Sequence, residues 1–334
     1  MKSHQRGRRS TLKLLAGGAL IGCIGVAPAV VSAATPWPTQ PVKLVVPFAA
    51  GGSTDVFARL LARRLQEVYG QPFIVENRGG ANGNLGAAQV ATAAPDGYTL
   101  MLSTTGPLSI NKLLYKATPF NPLTDFTPIA LLADVPLLVA SHPSLPVHNL
   151  KELIAYVKAN PDKVAYSTGG TGSMGHLSAL LLQRATGTTL THVPYKGSSG
   201  ALNDLIGGVV GLSFDLVPTY LQQISAGKIN AIAVLGTQRT SSLPEIPTLV
   251  ESGINVNATG WYGLVGPKGL PPEVVAKVNA VANEFLVSTE GRAQLQVFSM
   301  RPIGGKPEAL MALMTSEMDK WRPIVEPISA SVAQ

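Results

Sequence analysis

The stretch VVPFAAGGSTDVFARLLARRL, residues 45–65, decides the fold class. An apolar run ends at Phe48, and a loop of very small residues follows: Ala49, Ala50, Gly51, Gly52, Ser53 and Thr54. Apolar residues then recur at Val56, Phe57, Leu60, Leu61 and Leu65, the spacing of a helix. The reading is strand, glycine loop, helix, with one acid, Asp55, just behind the loop. A helix start presents unpaired backbone N–H groups and a partial positive charge. Glycine lets a ligand come close to the backbone, and Ser and Thr hydroxyls add donors. Such a loop suits an anion.

The same design recurs in AYSTGGTGSMGHLSALLL, residues 165–182. A strand ends, and Ser167, Thr168, Gly169, Gly170, Thr171, Gly172 and Ser173 lead into another helix. Neither loop carries the lysine that a phosphate-binding G-x-x-x-x-G-K-[ST] loop requires. Asp55 also opposes a multiply charged phosphate, whereas a carboxylate, with one charge and two acceptors, fits a neutral cradle. The plainer reading is that Gly51 and Gly52 make a tight turn and that Ser53 or Thr54 caps the helix. The second loop of the same kind favours binding.

Outward from these loops, strands and helices alternate. Strands are expected at 42–48, 73–78 and 98–105, with a helix at 53–69 and a glycine-rich loop, GGANGN, before a small-residue helix. Residues 128–143 hold two apolar runs broken at Asp134-Val135-Pro136. Strands follow at 163–168, 190–195, 210–217 and 229–236, with helices at 149–159, after His176, and at 199–206. Residues 261–265 are strand-like, and the tail 271–325 is helical with a break near MRPIGGKP. The pattern predicts an α/β protein of two lobes, each a mainly parallel sheet flanked by helices. Ligands of such sheets sit at the carboxyl ends of the strands, in a cleft between the lobes. The expected division is lobe 1 over 34–137 and 260–334, and lobe 2 over 138–259.

The first 33 residues read as an export signal. MKSHQRGRRSTLK carries five basic residues and no acid, an apolar run follows, and Val31-Ser32-Ala33 is a small-residue cleavage site. RRSTLK fits the twin-arginine route, and an ordinary Sec signal fits as well. Leu20-Ile21-Gly22-Cys23 has the form of a lipobox, but the apolar run continues past Cys23, which argues against lipid anchoring there. Removing the leader takes away five of the 26 basic residues and none of the 19 acids, so the formal charge falls from +7 to about +2. The basic balance therefore belongs largely to the leader and gives no ground for nucleic acid as a partner. The remaining chain has no cysteine, so its stability rests on its core.

PVKLVVPFAAGGSTDVFARLLARRL, GQPFIVENRGGANGNLGA, APDGYTL, HVPYKGSSGALNDLIGG and LPEIPTLVESG, in this order, resemble the Bug-type receptors. These are the extracytoplasmic solute-binding proteins of tripartite tricarboxylate transporters. The resemblance runs from about residue 36 to 325. It implies a two-lobed type II periplasmic-binding fold that closes on a small carboxylate, an organic di- or tricarboxylate or an aromatic acid. It implies a periplasmic, monomeric protein that needs no cofactor and passes its ligand to membrane subunits of the transporter. One ligand carboxylate is then held by the loop of Phe48, Ala49, Ala50, Gly51, Gly52, Ser53, Thr54 and Asp55. The loop of Thr168, Gly169, Gly170, Thr171, Ser173 and His176 closes from the other lobe. Met174 departs from the small residues expected there.

Other residues complete the expected site. Thr104 and Thr105 end the third strand and Tyr195 ends another, all at the cleft edge. Asp215 ends the apolar strand GLSFDLV, where a buried carboxylate needs partners: a ligand amine, a water, or local backbone N–H groups. TGSMG misses the G-x-S-x-G nucleophile elbow, because Thr171 stands where the first glycine belongs. The four histidines after the leader, His142, His148, His176 and His192, have no metal-site spacing. An exported serine hydrolase using Ser173 remains the alternative to a receptor.

Overall fold

Val42–Val46 forms β1, whose buried Val42, Leu44, Val45 and Val46 are covered on both faces, as expected of a central strand. This and all that follows is drawn from a computed structural model that describes residues 37–161 and 163–332. The leader, its cleavage site and Cys23 lie outside the described residues. From Trp37 onward the chain is one compact unit.

After β1 come α1 (Ser53–Tyr69), β2 (Phe73–Asn77), α2 (Asn84–Ala91), β3 (Thr99–Thr104), α3 (Asn111–Leu114) and β4 (Phe126–Ser141). The chain continues through α4 (Leu150–Ala159), β5 (Ala165–Thr168), α5 (Met174–Thr186), β6 (Thr191–Pro194), α6 (Ser198–Ile206), β7 (Leu212–Leu216), α7 (Val217–Ser225) and β8 (Asn230–Val234). It ends with β9 (Thr259–Pro267), α8 (Pro272–Val287), α9 (Thr289–Val297), β10 (Arg301–Pro302) and α10 (Pro307–Val332). The 3.6-residue spacing read from the sequence becomes the buried face of α1, where Phe57, Ala58, Leu61, Ala62 and Leu65 pack on the sheet. Gly70, at φ 67°, ends that helix in the left-handed conformation that glycine reaches without a Cβ penalty.

The strands form two halves of the same plan. In the first, β1 lies between β2 and β3, all parallel; in the second, β5 lies between β6 and β7, again parallel. α1 follows the middle strand of one trio and α5 the middle strand of the other. The two small-residue loops therefore occupy equivalent places at the carboxyl ends of central strands.

Two expectations change. The sheets are mixed rather than mainly parallel, because β9 runs antiparallel to β3, and β4 runs antiparallel to β7, β8 and β9. A strand that returns from the other half enters its sheet from the opposite end. Nor do residues 134–136 break the chain: β4 is one strand of 16 residues. Its residues up to Pro136 pair with β9, and those from Leu137 on pair with β7 and β8. Pro136 lacks an N–H and falls where one set of partners gives way to the other. Trp321 and Val325, late in α10, pack with the second half's core around Leu137, Tyr166 and Phe214.

Candidate functional site

The first loop is held from behind. The Asp55 carboxylate accepts from the Gly51 amide (2.9 Å), from Asn77 Nδ2 (3.0 Å) and from Arg59 Nε (3.1 Å). Burial pushes this carboxyl up, but the bonds from Arg59, Gly51 and Asn77 outweigh it and leave it below its usual value. Asp55 is thus committed inside the protein and sets the curvature of the loop. Asn77 ties the same carboxylate to the Phe48 carbonyl (3.1 Å). Gly79 stands against Phe48 and Ala49 so closely that a Cβ would lie 3.4 Å from the Ala49 nitrogen.

No side chain caps α1; Gly52 occupies the cap position. The amides of its first turn, at Ser53 and Thr54, have no partner among the described residues. Gly51 has φ +83°, and a Cβ built on it would meet nothing within 4 Å. The loop thus offers free donors beside open space, the conditions for an anion at a helix start. The Ser53 hydroxyl is instead engaged, accepting from Tyr262 on β9 at 2.8 Å.

The second loop is built differently. Ser173 caps α5, accepting from the His176 amide (3.3 Å), whereas the capping expected of Ser53 or Thr54 is not found at α1. The Gly172 amide donates to His176 Nδ1 (3.0 Å) and the Gly170 amide to Thr168 Oγ1 (3.3 Å). The amides of Gly170, Gly172, Ser173 and His176 are thus satisfied within the loop. The Thr168 hydroxyl is engaged by Gly170 and the Ser173 hydroxyl by the His176 amide, and the Thr171 carbonyl accepts from Tyr115 (2.5 Å) just after α3. Beneath it, His176 and His192 stack with centroids 4.0 Å apart, and His192 pairs with Thr168 Oγ1 (2.8 Å). Burial holds the imidazole pKa values at about 4 for His176 and about 3 for His192, the latter helped by its neighbour. Both are neutral near pH 7.

Asp215 is buried. Its Oδ1 accepts from the Leu216 amide (2.7 Å), and its Oδ2 has no hydrogen-bond partner among the described residues. Burial raises its pKa; the Ser198 hydroxyl stands near enough to oppose the rise without completing a bond to Oδ2. A Cβ on Gly169 would lie 3.3 Å from Ser198 Oγ and 3.5 Å from Asp215 Oδ2, so these three groups converge. The charge of Asp215 is felt at Tyr262, whose pKa burial raises to about 12. Ser53, Tyr262, Asp215 and Gly169 thus link the two loops. Tyr195 is turned to Asp204 on α6, and Thr105 accepts from the Trp261 amide (3.1 Å); both are braces. Thr104 lies at the end of β3, in register with Tyr262.

Sequence reasoning missed Ser198 and Tyr262. For Ser198 a signal was present: KGSSG, residues 196–200, is a third small-residue helix start, and α6 also lacks a side-chain cap. Nothing local marks Tyr262, because β9 reaches the loop from 209 residues away. A cavity of about 400 Å3 lies apart from this constellation and is lined by none of the expected site residues. Among the described residues no group of three His, Asp or Glu side chains is placed to hold a metal ion, and no helix is long and apolar enough to cross a membrane.

Residues 57–330 match the family model described as "Tripartite tricarboxylate transporter family receptor". The chain is 38% identical over 320 residues to the protein BugT of Bordetella pertussis, covering 94% of this chain and 97% of that one. Among solved structures it superposes with TM-score 0.84 on Rpa4515 of Rhodopseudomonas palustris with adipate, at 38% identity, covering 89% of this chain and 98% of the other. MatC of the same organism, with bound malate, superposes with TM-score 0.82 at 34% identity, covering 87% and 100%.

Proposed function

The chain belongs to the tripartite tricarboxylate transporter receptor family, and from that premise we propose how this solute-binding receptor takes up its ligand. A small organic carboxylate, a di- or tricarboxylate or an aromatic acid, places one carboxylate on the uncapped start of α1. There the amides of Ser53 and Thr54 donate to it and Gly51 leaves it room. The single observation that carries this reading is that those donors have no internal partner and stand beside open space at Gly51, at a helix start that no side chain caps, whereas Ser173 caps α5. The far end of the ligand meets Gly169, Ser198 and Asp215. The two relatives solved with adipate and with malate support an acid of this size.

In this reading the lobes are 34–137 with 260–334, and 138–259, and they close about the strands that cross near Pro136 and Thr259. The change of partners along β4 supports the first crossing. Residues 1–33 direct export to the periplasm by the twin-arginine or the Sec route, without a lipid at Cys23. The protein is a monomer, needs no cofactor, and delivers its ligand to the membrane subunits of the transporter. It is not an enzyme. The hydrolase alternative needs His176 to take a proton from Ser173, yet Ser173 is a helix cap and His176 Nδ1 already accepts from Gly172.

Calorimetry of the leaderless protein with adipate, malate and an aromatic acid, beside mass spectrometry of what co-purifies, tests the reading. At least one acid should bind, and Gly51→Val should abolish that binding while Ser173→Ala keeps it. Normal binding by Gly51→Val, or ester turnover lost in Ser173→Ala, would overturn it.

A further inference from the structure

The cavity of about 400 Å3 lies at the place where the chain passes between the two halves of the sheet. Pro136 on β4 and Thr259 on β9, which pair with each other, form part of its wall, and the loop 236–241 after β8 closes another side. α9 and the turn into β10 complete it. Its volume falls in the range of pockets that hold small organic molecules, roughly 300–1,000 Å3.

The wall is basic. Arg239, Arg292 and Arg301 line it against one acid, Asp134. Two of the arginines are occupied: Arg301 forks onto Asp134, with Nε to Oδ1 at 3.0 Å, and Arg239 Nε is shared between the two Glu251 carboxylate oxygens at 3.1 and 3.0 Å. The Arg292 guanidinium has no hydrogen-bond or ion-pair partner among the described residues. One turn further along α9, Gln296 lies on the same helix face, as an i, i+4 neighbour must.

A second observation is independent of charge. Ser299 also lines the cavity, its residue is 6% exposed, and its hydroxyl is buried with no hydrogen-bond partner. It sits at φ +53°, a left-handed conformation that a non-glycine residue adopts at some cost in strain. The turn is pinned there by Ser299 N–H to the Gln296 carbonyl (3.0 Å) and Met300 N–H to the Leu295 carbonyl (2.9 Å). The buried unpaired hydroxyl calls for an acceptor, and the exposed Arg292 guanidinium on the same cavity wall is free to meet one.

We propose that this hinge cavity is a second binding site, for a small organic anion whose acidic group meets Arg292 and whose acceptor oxygens reach Ser299. An organic acid fits better than a bare inorganic ion, because Pro136, Met300 and Pro302 supply an apolar wall that phosphate leaves unused. The occupant touches both crossing strands and the loop that follows β8. Its presence therefore couples to closure of the cleft, and by linkage the cleft ligand changes its affinity by the same factor. That consequence rests on the receptor reading above; the existence of the site does not.

The test is calorimetry with succinate on the leaderless chain carrying Gly51→Val, so that the cleft is silent, with inorganic phosphate as the comparison. Succinate should bind, and phosphate should bind at least about tenfold more weakly, a step of about 1.4 kcal/mol. Arg292→Glu in the same background should weaken succinate by more than about tenfold, and Ser299→Ala by a smaller factor. The melting temperature of Arg292→Glu without succinate should match its parent, since Arg292 is exposed and unpaired. No succinate binding at about 10 mM, equal affinity for phosphate, or an affinity indifferent to Arg292→Glu each overturn the proposal. So does capture of an acidic peptide when succinate does not bind, which would make the cavity a docking socket instead.

Discussion

The Tyr262 phenol donates a 2.8 Å hydrogen bond to the Ser53 hydroxyl, joining a strand that crosses between the halves to the loop that starts α1. Tyr262 is fully buried, so this bond has no water to replace it. Tyr262→Phe should cost about 1 kcal/mol of stability by urea unfolding and should weaken carboxylate binding several-fold. If Tyr262→Phe matches wild type in both measurements, the bond does not position the loop.

Asp55 braces the same loop rather than meeting the ligand. Asp55→Asn keeps the shape but loses the charge that holds Arg59 and the Gly51 amide. It should lower stability by about 1.5–3 kcal/mol and weaken every carboxylate ligand by a similar factor. Denaturation and calorimetry on one preparation check both parts. Tighter binding by Asp55→Asn would show that Asp55 repels the ligand directly, contrary to this account.

Two glycines separate binding from folding. A Cβ on Gly51 meets nothing within 4 Å, whereas a Cβ on Gly175 would stand 2.0 Å from the Phe214 carbonyl oxygen. Gly51→Ala pays only for its positive φ, about 1 kcal/mol, while losing much of its ligand affinity. Gly175→Ala forces α5 off β7 and should yield little folded protein. A soluble, cooperatively melting Gly175→Ala would contradict the packing described here.

The stacked pair His176 and His192 makes stability pH-dependent. In the unfolded chain both take up protons at the ordinary histidine value of 6.5, but folded they resist until about 4 and about 3. The unfolded state therefore binds more protons below 6.5, and stability falls as the pH falls. Between about pH 7.5 and about pH 5.5 each histidine should cost about 1.4 kcal/mol. Asp215, whose value burial raises, acts in the opposite sense. Urea unfolding at the two pH values measures the loss, and the double change His176→Gln, His192→Gln should flatten it. A slope that survives the double change must come from other groups.

Asp215→Asn tests whether the ligand carries an amine. Its Oδ2 is buried and unpartnered, and the nearby hydroxyl of Ser198 does not complete a bond to it. For a plain dicarboxylate or aromatic acid, Asp215→Asn should leave affinity unchanged or improve it. For an amino acid it should cost about 1.5–3 kcal/mol, or roughly tenfold to a hundredfold. We expect the mild outcome by calorimetry, and a loss of the larger size would identify an ammonium at Asp215.

Much of this protein was legible in its residues. The strand–loop–helix pattern at 45–65 and its echo at 165–182 are local, set by hydrophobic period and by glycine, and both stand in the structure at equivalent strand ends. What the two loops do with their amides was not legible. Near-identical compositions leave α1 uncapped and α5 capped, because Gly52 holds the cap position in one and Ser173 in the other, while the bond from Gly51 to Asp55 has its counterpart in the bond from Gly172 to His176.

The crossing strand shows the same division. Asp134-Val135-Pro136 reads as a break, yet β4 runs through it, since a proline in a strand forfeits only its own N–H and the neighbouring strands bond to what remains. Period and turn chemistry reach only a few residues along the chain, so the sequence determined which segments are strands, helices and small-residue loops. Tyr262 at Ser53, Ser198 beside Asp215, and the cavity between Thr259 and α9 join residues far apart in the chain. Only tertiary structure decided them, because each depends on which strand end a distant segment is packed against.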